Sequence, residues 1–323
     1  MAYRNPPWCE ITGIRAARLV SPFIPYWTGH LLRQPYRHTP QSRPLNPGRQ
    51  SLRFKSRIAA YDSVINLMLD GFAEISGQSI DPMTGPLVVV FNRLVGAFDD
   101  EFEDRVETKR PLSFDDVLGS AAVHARLLDL RAFLEPCQAR ETIRSHLLAS
   151  AAQQYERYVQ LMTSGPLHPD QALDARFEAA LIDSAGFLVS LVHVISLFNG
   201  VVADEAVTAQ FAALGIVGKF ADDIVDFWPD ARHERFNLLD GHLRRHSAEL
   251  ALVRGLIADP PPRTTLRWWS RRCPESIAEL SATLAGQMDR LNSRAMRRAA
   301  EILLIPPLWG HTMLKSEPSS GRL

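Results

Sequence analysis

Phe211-Ala212-Ala213-Leu214-Gly215-Ile216-Val217-Gly218-Lys219-Phe220-Ala221-Asp222-Asp223-Ile224-Val225-Asp226-Phe227-Trp228-Pro229-Asp230 is apolar for most of its length and then turns acidic. It is continuous enough for a buried helix and shows no sustained alternation of period two, so a helix is expected. Asp222 and Asp226 lie one turn apart and face the same way, and Asp230 continues that face if the helix runs straight. Pro229 removes a backbone donor inside the run, so a kink or helix end is expected before Asp230. Asp222 and Asp226 are therefore the stronger candidate ligands. Carboxylates flanked by Ile224, Val225, Phe227 and Trp228 suggest a charged rim over an apolar cavity.

A similar change of character occurs about 120 residues earlier. The apolar run from Val88 to Phe98 leads directly into Asp99-Asp100-Glu101-Phe102-Glu103-Asp104. On a helix Asp99 stacks with Glu103, and Asp100 stacks with Glu103 and Asp104. Like charges at this spacing cost a few tenths of a kcal/mol per pair, a cost that a bound cation removes. Mg²⁺ suits such a cluster, because it takes one or two carboxylates and completes its shell with water and phosphate oxygens. A solvated acidic helix end is the alternative for either motif alone. Two motifs on separate helices could hold several Mg²⁺ ions between them and clamp a diphosphate.

Working outward, helices are predicted over 52–76, 84–107, 114–135, 138–164, 169–199, 203–228, 237–258 and 275–304. Separators such as Gly77, Pro111, Ser164-Gly165-Pro166, Asn199-Gly200 and Asp259-Pro260-Pro261-Pro262 carry turn chemistry. No strand pattern, fixed-period repeat or Gly-rich phosphate loop is present. The expectation is an all-α single domain over 51–305. It is preceded by a Pro/Arg-rich irregular or disordered arm over 1–50 and followed by a C-terminal tail over 306–323.

Lys plus Arg balances Asp plus Glu at 36 each, which argues against a nucleic-acid partner. The arm holds seven Arg and the single acid Glu10. It resembles a transit peptide in composition only, and a flexible arm is the other reading. Cys9, Cys137 and Cys273 make neither a disulfide framework nor a zinc pattern, so a reducing, cytoplasmic setting is expected. The most apolar stretch, 186–203, contains His193 and is broken at Asn199-Gly200. A buried core helix is expected there rather than an integral membrane span.

The paired acidic motifs resemble those of class I isoprenoid synthases, and the likeness covers residues 51–305. Asp99-Asp100-x-x-Glu103 is similar to the aspartate-rich DDxxD/E motif. Asp222-Asp223-Ile224-Val225-Asp226-x-x-x-Asp230 is similar to the second metal motif of terpene cyclases, with Asp in place of the usual Ser/Thr and Glu. Arg176 stands 46 residues before Asp222, where bacterial cyclases carry a diphosphate-sensing Arg, although Ala179 replaces the Asp that usually follows. Other branches share features. Asp226-x-x-x-Asp230-Ala231-Arg232-x-x-Arg235-x-x-Leu238 is similar to the second motif of squalene and phytoene synthases. Asp100-x-x-x-Asp104 followed by Lys109-Arg110 resembles the chain-elongating transferases. No GGKRxRP-like segment is present for elongation. Val95-Gly96-Ala97-Phe98 lacks the Arg that the head-to-head branch places before its Asp pair.

The resemblance implies a helical bundle around a deep apolar pocket and an Mg²⁺-dependent terpene synthase that ionises an allylic isoprenoid diphosphate. Asp99, Asp100, Asp222 and Asp226 would be catalytic. Several Mg²⁺ ions would be held by these with Glu103, Asp104 and Asp230, and Arg176, Arg232 and Arg235 would bind diphosphate. Phe91, Phe98, Phe187, Phe220 and Trp228 are candidates for stabilising a cation through their ring faces or, alternatively, core residues. A homodimer is compatible with this reading. Two alternatives stand beside it: a prenyl-coupling transferase of the same fold, and a non-catalytic helical protein that binds cations or a basic partner.

Overall fold

The computed structural model describes residues 52–163, 168–261 and 264–304, and among these the chain is helical with no strand. The arm and the tail expected from the sequence lie outside the described residues. The helices are α1 (Leu52–Ser76), α2 (Thr84–Glu107), α3 (Phe114–Leu118), α4 (Ala121–Leu134) and α5 (Arg140–Thr163), then α6 (Pro169–Ala180) and α7 (Gly186–Asn199). After these come α8 (Glu205–Val225), α9 (Phe227–Arg232), α10 (Leu238–Leu243) and α11 (Ser247–Arg254), and finally α12 (Leu266–Arg272), α13 (Pro274–Arg290) and α14 (Arg294–Leu303).

Local chemistry explains where the expected segments divide. Ser120 begins a new helix immediately after α3 by accepting from the Val123 amide, so the segment expected over 114–135 is two helices. Ser293 does the same for α14 by accepting from Met296, which splits the last segment. The 237–258 segment is likewise divided into α10 and α11. Pro229 does not break its own helix. It sits in the first turn of α9, where a missing amide hydrogen costs nothing, and the break falls at Asp226. The helix α12 lies outside the segments expected from the sequence, and Thr265 caps its start by accepting from the Trp268 amide.

The quoted stretch forms α8, the central helix. Phe211, Leu214, Ile216, Val217 and Phe220 are almost fully buried. They are covered by α1, α7, α10, α13 and α14, which is why α8 is apolar nearly all round. Asp204 caps its start by accepting from the Ala206 amide at 2.6 Å.

The segments α6 and α7 are joined through Leu181–Ala185, a π-helical turn, into one continuous rod that ends at left-handed Gly200. By length and composition this 31-residue rod is apolar enough to cross a membrane. It packs here against α5, α8 and α10. It runs antiparallel to α5, with His193 beside His146 at 5.1 Å and Ser190 bonded to Ser150 at 2.5 Å.

Gly215 sets the approach of α8 to the π-turn. A Cβ there would lie 2.7 Å from the Ala185 Cα and the Ser184 carbonyl oxygen, both backbone atoms that cannot turn aside. Gly286 on α13, by contrast, has nothing within 4 Å of such a Cβ. Gly286→Ala is therefore expected to stabilise the protein by about 0.4–1 kcal/mol. Gly215→Ala should destabilise it by about 1–3 kcal/mol despite alanine's better helix propensity. Urea titrations of the two variants check this, and equal effects would refute the close approach.

Candidate functional site

The helices α5 and α8 both pack against the π-turn. Antiparallel pairing of the rod with α5 carries Asp183 to the level of Tyr158. The Gly215 contact carries Lys219, one turn further along α8, to the same place. The Lys219 ammonium lies 3.1 Å from Asp183, 3.2 Å from Asp223 and 3.8 Å from Asp222. Burial alone would depress it, but Asp223, Asp183 and Asp222 outweigh that effect and hold it well above the ordinary lysine value.

Tyr158 senses both acidic motifs. Burial raises its phenol, Asp183, Asp99 and Asp223 raise it further, and Lys219 alone opposes them. Asp99 of the first motif and Asp223 of the second thus share one neighbourhood, and its field is net negative.

The acids of the two motifs divide into two groups. Asp223 is buried and used by the fold: one oxygen accepts from the Leu238 amide at 2.6 Å and the other faces Lys219. Asp230 is also buried and accepts from the Asn237 side chain at 2.8 Å. The same Asn237 amide donates to the Asp223 carbonyl at 2.9 Å. Burial pushes Asp223 up to about 6 and, with the Asp223 charge beside it, Asp230 up to about 7. Asp99, Asp222 and Asp226 are half-buried and Asp100 is exposed, so these four remain accessible. Asp104 points to an ion pair with Arg110, which also lies 3.7 Å from Glu101. The Glu103 side chain lies outside the described residues.

The basic candidates separate as well. Arg176 on α6 is nearly buried, donates to Asp240 at 2.6 Å and lies over the Phe236 ring at 5.1 Å. Its Nε is buried with no hydrogen-bond acceptor among the described residues. Arg232 is exposed and donates to the Ile257 carbonyl at 3.1 Å, and Arg235 is half-buried.

A band of rings leads away from the acids. Phe236 neighbours Tyr158, Tyr158 neighbours Phe102, and Phe102 neighbours Tyr155, at centroid separations of 6.4, 5.3 and 5.6 Å. Tyr155 then meets Phe114, which stacks on Phe98. Phe98 lines an apolar pocket with Phe91, Leu94 and Val95 of α2, Leu147 of α5 and Phe187 of α7, and Arg144 is also on its wall. The pocket is narrow, about 30 Å³, room for about two water molecules. Phe91, Phe98 and Phe187 thus face a common space. Phe220 is fully buried, and Trp228 stacks on Trp269 at 5.4 Å in a separate aromatic cluster with Phe227 and Trp268.

Asp183, Lys219 and Tyr158 were not among the expected site residues. Asp183 is a lone acid in Ala179-Ala180-Leu181-Ile182-Asp183-Ser184-Ala185. Lys219 stands three and four residues before Asp222 and Asp223. Both signals are present in the sequence, but neither names its partner. Among the described residues no three carboxylate, imidazole or thiol groups converge closely enough to cage a metal ion as they stand. Mg²⁺ needs no such cage. One or two carboxylates per ion suffice, and hard oxygen donors in a net negative field fit it. The chain matches no known protein family, no curated protein and no solved structure.

The raised carboxyl of Asp230 gives a pH test. A folded value of about 7 against roughly 3.9 unfolded means the native state holds the extra proton in that window. Its contribution is fully present below the unfolded value and is lost as pH rises through the folded one. Asp230→Asn keeps an acceptor for Asn237 and removes the charge. The variant should gain stability over wild type between pH 5 and pH 8. Thermal melts at the two pH values check this, and a constant difference would contradict the assignment.

Proposed function

We propose that the protein is an Mg²⁺-dependent class I terpene synthase that ionises an allylic isoprenoid diphosphate. What supports this reading is that Asp99 of the first motif and Asp223 of the second, more than a hundred residues apart in sequence, both lie near enough to Tyr158 to oppose its ionisation.

In this reading Asp99 and Asp100 hold metal from one wall, and Asp222 and Asp226 hold it from the other. Bound there, Mg²⁺ supplies positive charge that binds the diphosphate and stabilises it as a leaving group. Arg176 adds a guanidinium that Asp240 and Phe236 hold in place, with its Nε–H available to a phosphate oxygen. The ring band from Phe236 through Tyr158 and Phe102 to Phe98 offers π faces to an allylic cation and keeps water away from it. The apolar tail would lie along the pocket walls of Phe91, Phe98 and Phe187. A prenyl chain far exceeds the present space, so its entry must turn these rings aside.

The prenyl-coupling alternative receives less support. Its second motif relies on Asp230 and Arg232, and here Asp230 is engaged with Asn237 while Arg232 holds the Ile257 carbonyl. The position of Asp230, beyond the break at Asp226, also weakens its assignment as a metal ligand.

The test is incubation of the purified full chain with Mg²⁺ and geranyl, farnesyl or geranylgeranyl diphosphate, one at a time. Diphosphate release and extracted hydrocarbons are followed together. One substrate should release diphosphate in a metal-dependent way, with Asp99→Ala and Asp222→Ala slower by about 10²–10³-fold. Release only from paired prenyl substrates would move the assignment to coupling. No release from any of them would sink both enzymatic readings.

A further inference from the structure

The carboxylate of Glu279 on α13 gathers three basic side chains from the residues that end α10. His242 Nδ1 lies 3.3 Å from it, the Arg245 guanidinium donates to it at 3.0 Å, and His246 Nε2 lies 3.1 Å away. Burial would raise this carboxyl, but the hydrogen bond with His242 and the charges of Arg245 and His246 outweigh it and hold Glu279 below its ordinary value. The other ring nitrogen of His246 lies 2.8 Å from Glu275, also on α13. Arg245 pairs in addition with Asp170, in the first turn of α6, at 3.0 Å.

The cluster thus ties α10 to α13 and to α6, and α6 and α10 carry Arg176 and its acceptor. Asp240 of α10 accepts from Arg176 of α6 at 2.6 Å. Beside it, a Cβ on Gly241 would stand 3.0 Å from the Arg176 Cδ and 3.3 Å from the Leu173 Cα, so the two helices are in close contact there. Leu238, Leu239 and Leu243 bury α10, but apolar burial is non-directional. A six-residue helix also depends on tertiary contacts to persist. An isolated surface ion pair would fix little, whereas several charges converging on one carboxylate act as a network. Directional contacts of this kind set how α10 is turned, and so where Asp240 points.

We infer that Glu279 is a positioning residue for the Arg176 guanidinium, acting on it through α10. It holds the end of α10 so that Asp240 meets Arg176 in one orientation. A guanidinium oriented in advance binds an anion at a smaller ordering cost. This inference rests on the reading of Arg176 as a diphosphate-binding group.

A double-mutant cycle tests it, with binding of inorganic diphosphate to the full chain in Mg²⁺ measured by calorimetry. Glu279→Ala should weaken binding about tenfold in the wild-type background and less than about twofold once Arg176→Gln has removed the guanidinium, because changes that act through one group are not additive. Arg245→Met, which cuts the tie to Asp170 and leaves Glu279 in place, should show the same pattern. It carries the test alone if circular dichroism shows that Glu279→Ala does not fold. Equal losses in both backgrounds, or no loss in either, would overturn the inference and leave the diphosphate reading intact. Unchanged binding in Arg176→Gln, or no binding by wild type, would sink that reading and this inference with it.

Discussion

Charged groups withdrawn from water must find compensation, and at the end of this bundle that requirement is met by one ammonium among carboxylates. Desolvation opposes Lys219 and Asp223 alike, and their mutual proximity, with the Leu238 amide on Asp223, works against it. Proximity in turn depends on backbone contact. Gly215 allows α8 to touch the π-turn at Ala185, and the π-turn projects Asp183 toward α8. A π-turn within an α-helix is a distortion often found at functional sites. Here it stands midway in a rod that packs against α5, α8 and α10.

The second acidic motif does two kinds of work. Asp223 and Asp230 face inward and organise the chain that follows, through the Leu238 amide and through Asn237. Asn237 then caps α10 by accepting from the Leu239 amide at 3.0 Å, which sets the direction of the helix carrying Asp240. Asp240 holds Arg176. An unbroken set of hydrogen bonds and ion pairs thus joins the motif to Arg176. Asp222 and Asp226 are half-buried rather than buried. The break at Asp226 produces this division, since a straight helix would have put Asp230 on the same face as Asp222 and Asp226.

The rings between the acids and the pocket matter for the proposed reaction. From Phe236 to Phe98 each ring touches the next, and Tyr155 and Tyr158 present hydroxyls whose ionisation burial opposes. Neutral rings in a negative field suit a short-lived carbocation, because they attract it without offering a strong nucleophile. The narrow pocket beyond them is lined by side chains able to rotate, so its present size sets no substrate length.

The sequence by itself determined that the protein is helical, that α8 is buried on nearly all sides, and that acids end two apolar helices. These are local facts, carried by periodicity, capping residues and composition, and the helices over 52–76 and 84–107 emerged with those bounds. Breaks at Ser120 and Ser293 were also legible in principle, as serine caps. What only the tertiary structure decided is which acids share a neighbourhood and which are spent. Asp183 is as acidic in sequence as Asp222, and Lys219 is an ordinary lysine until α8 meets the π-turn. The pocket likewise arises between α2, α4, α5 and α7, which no single segment describes. The physical reason is that a carboxylate's role follows from its desolvation and its charged neighbours. Those are properties of packing between distant segments, and local sequence does not encode them.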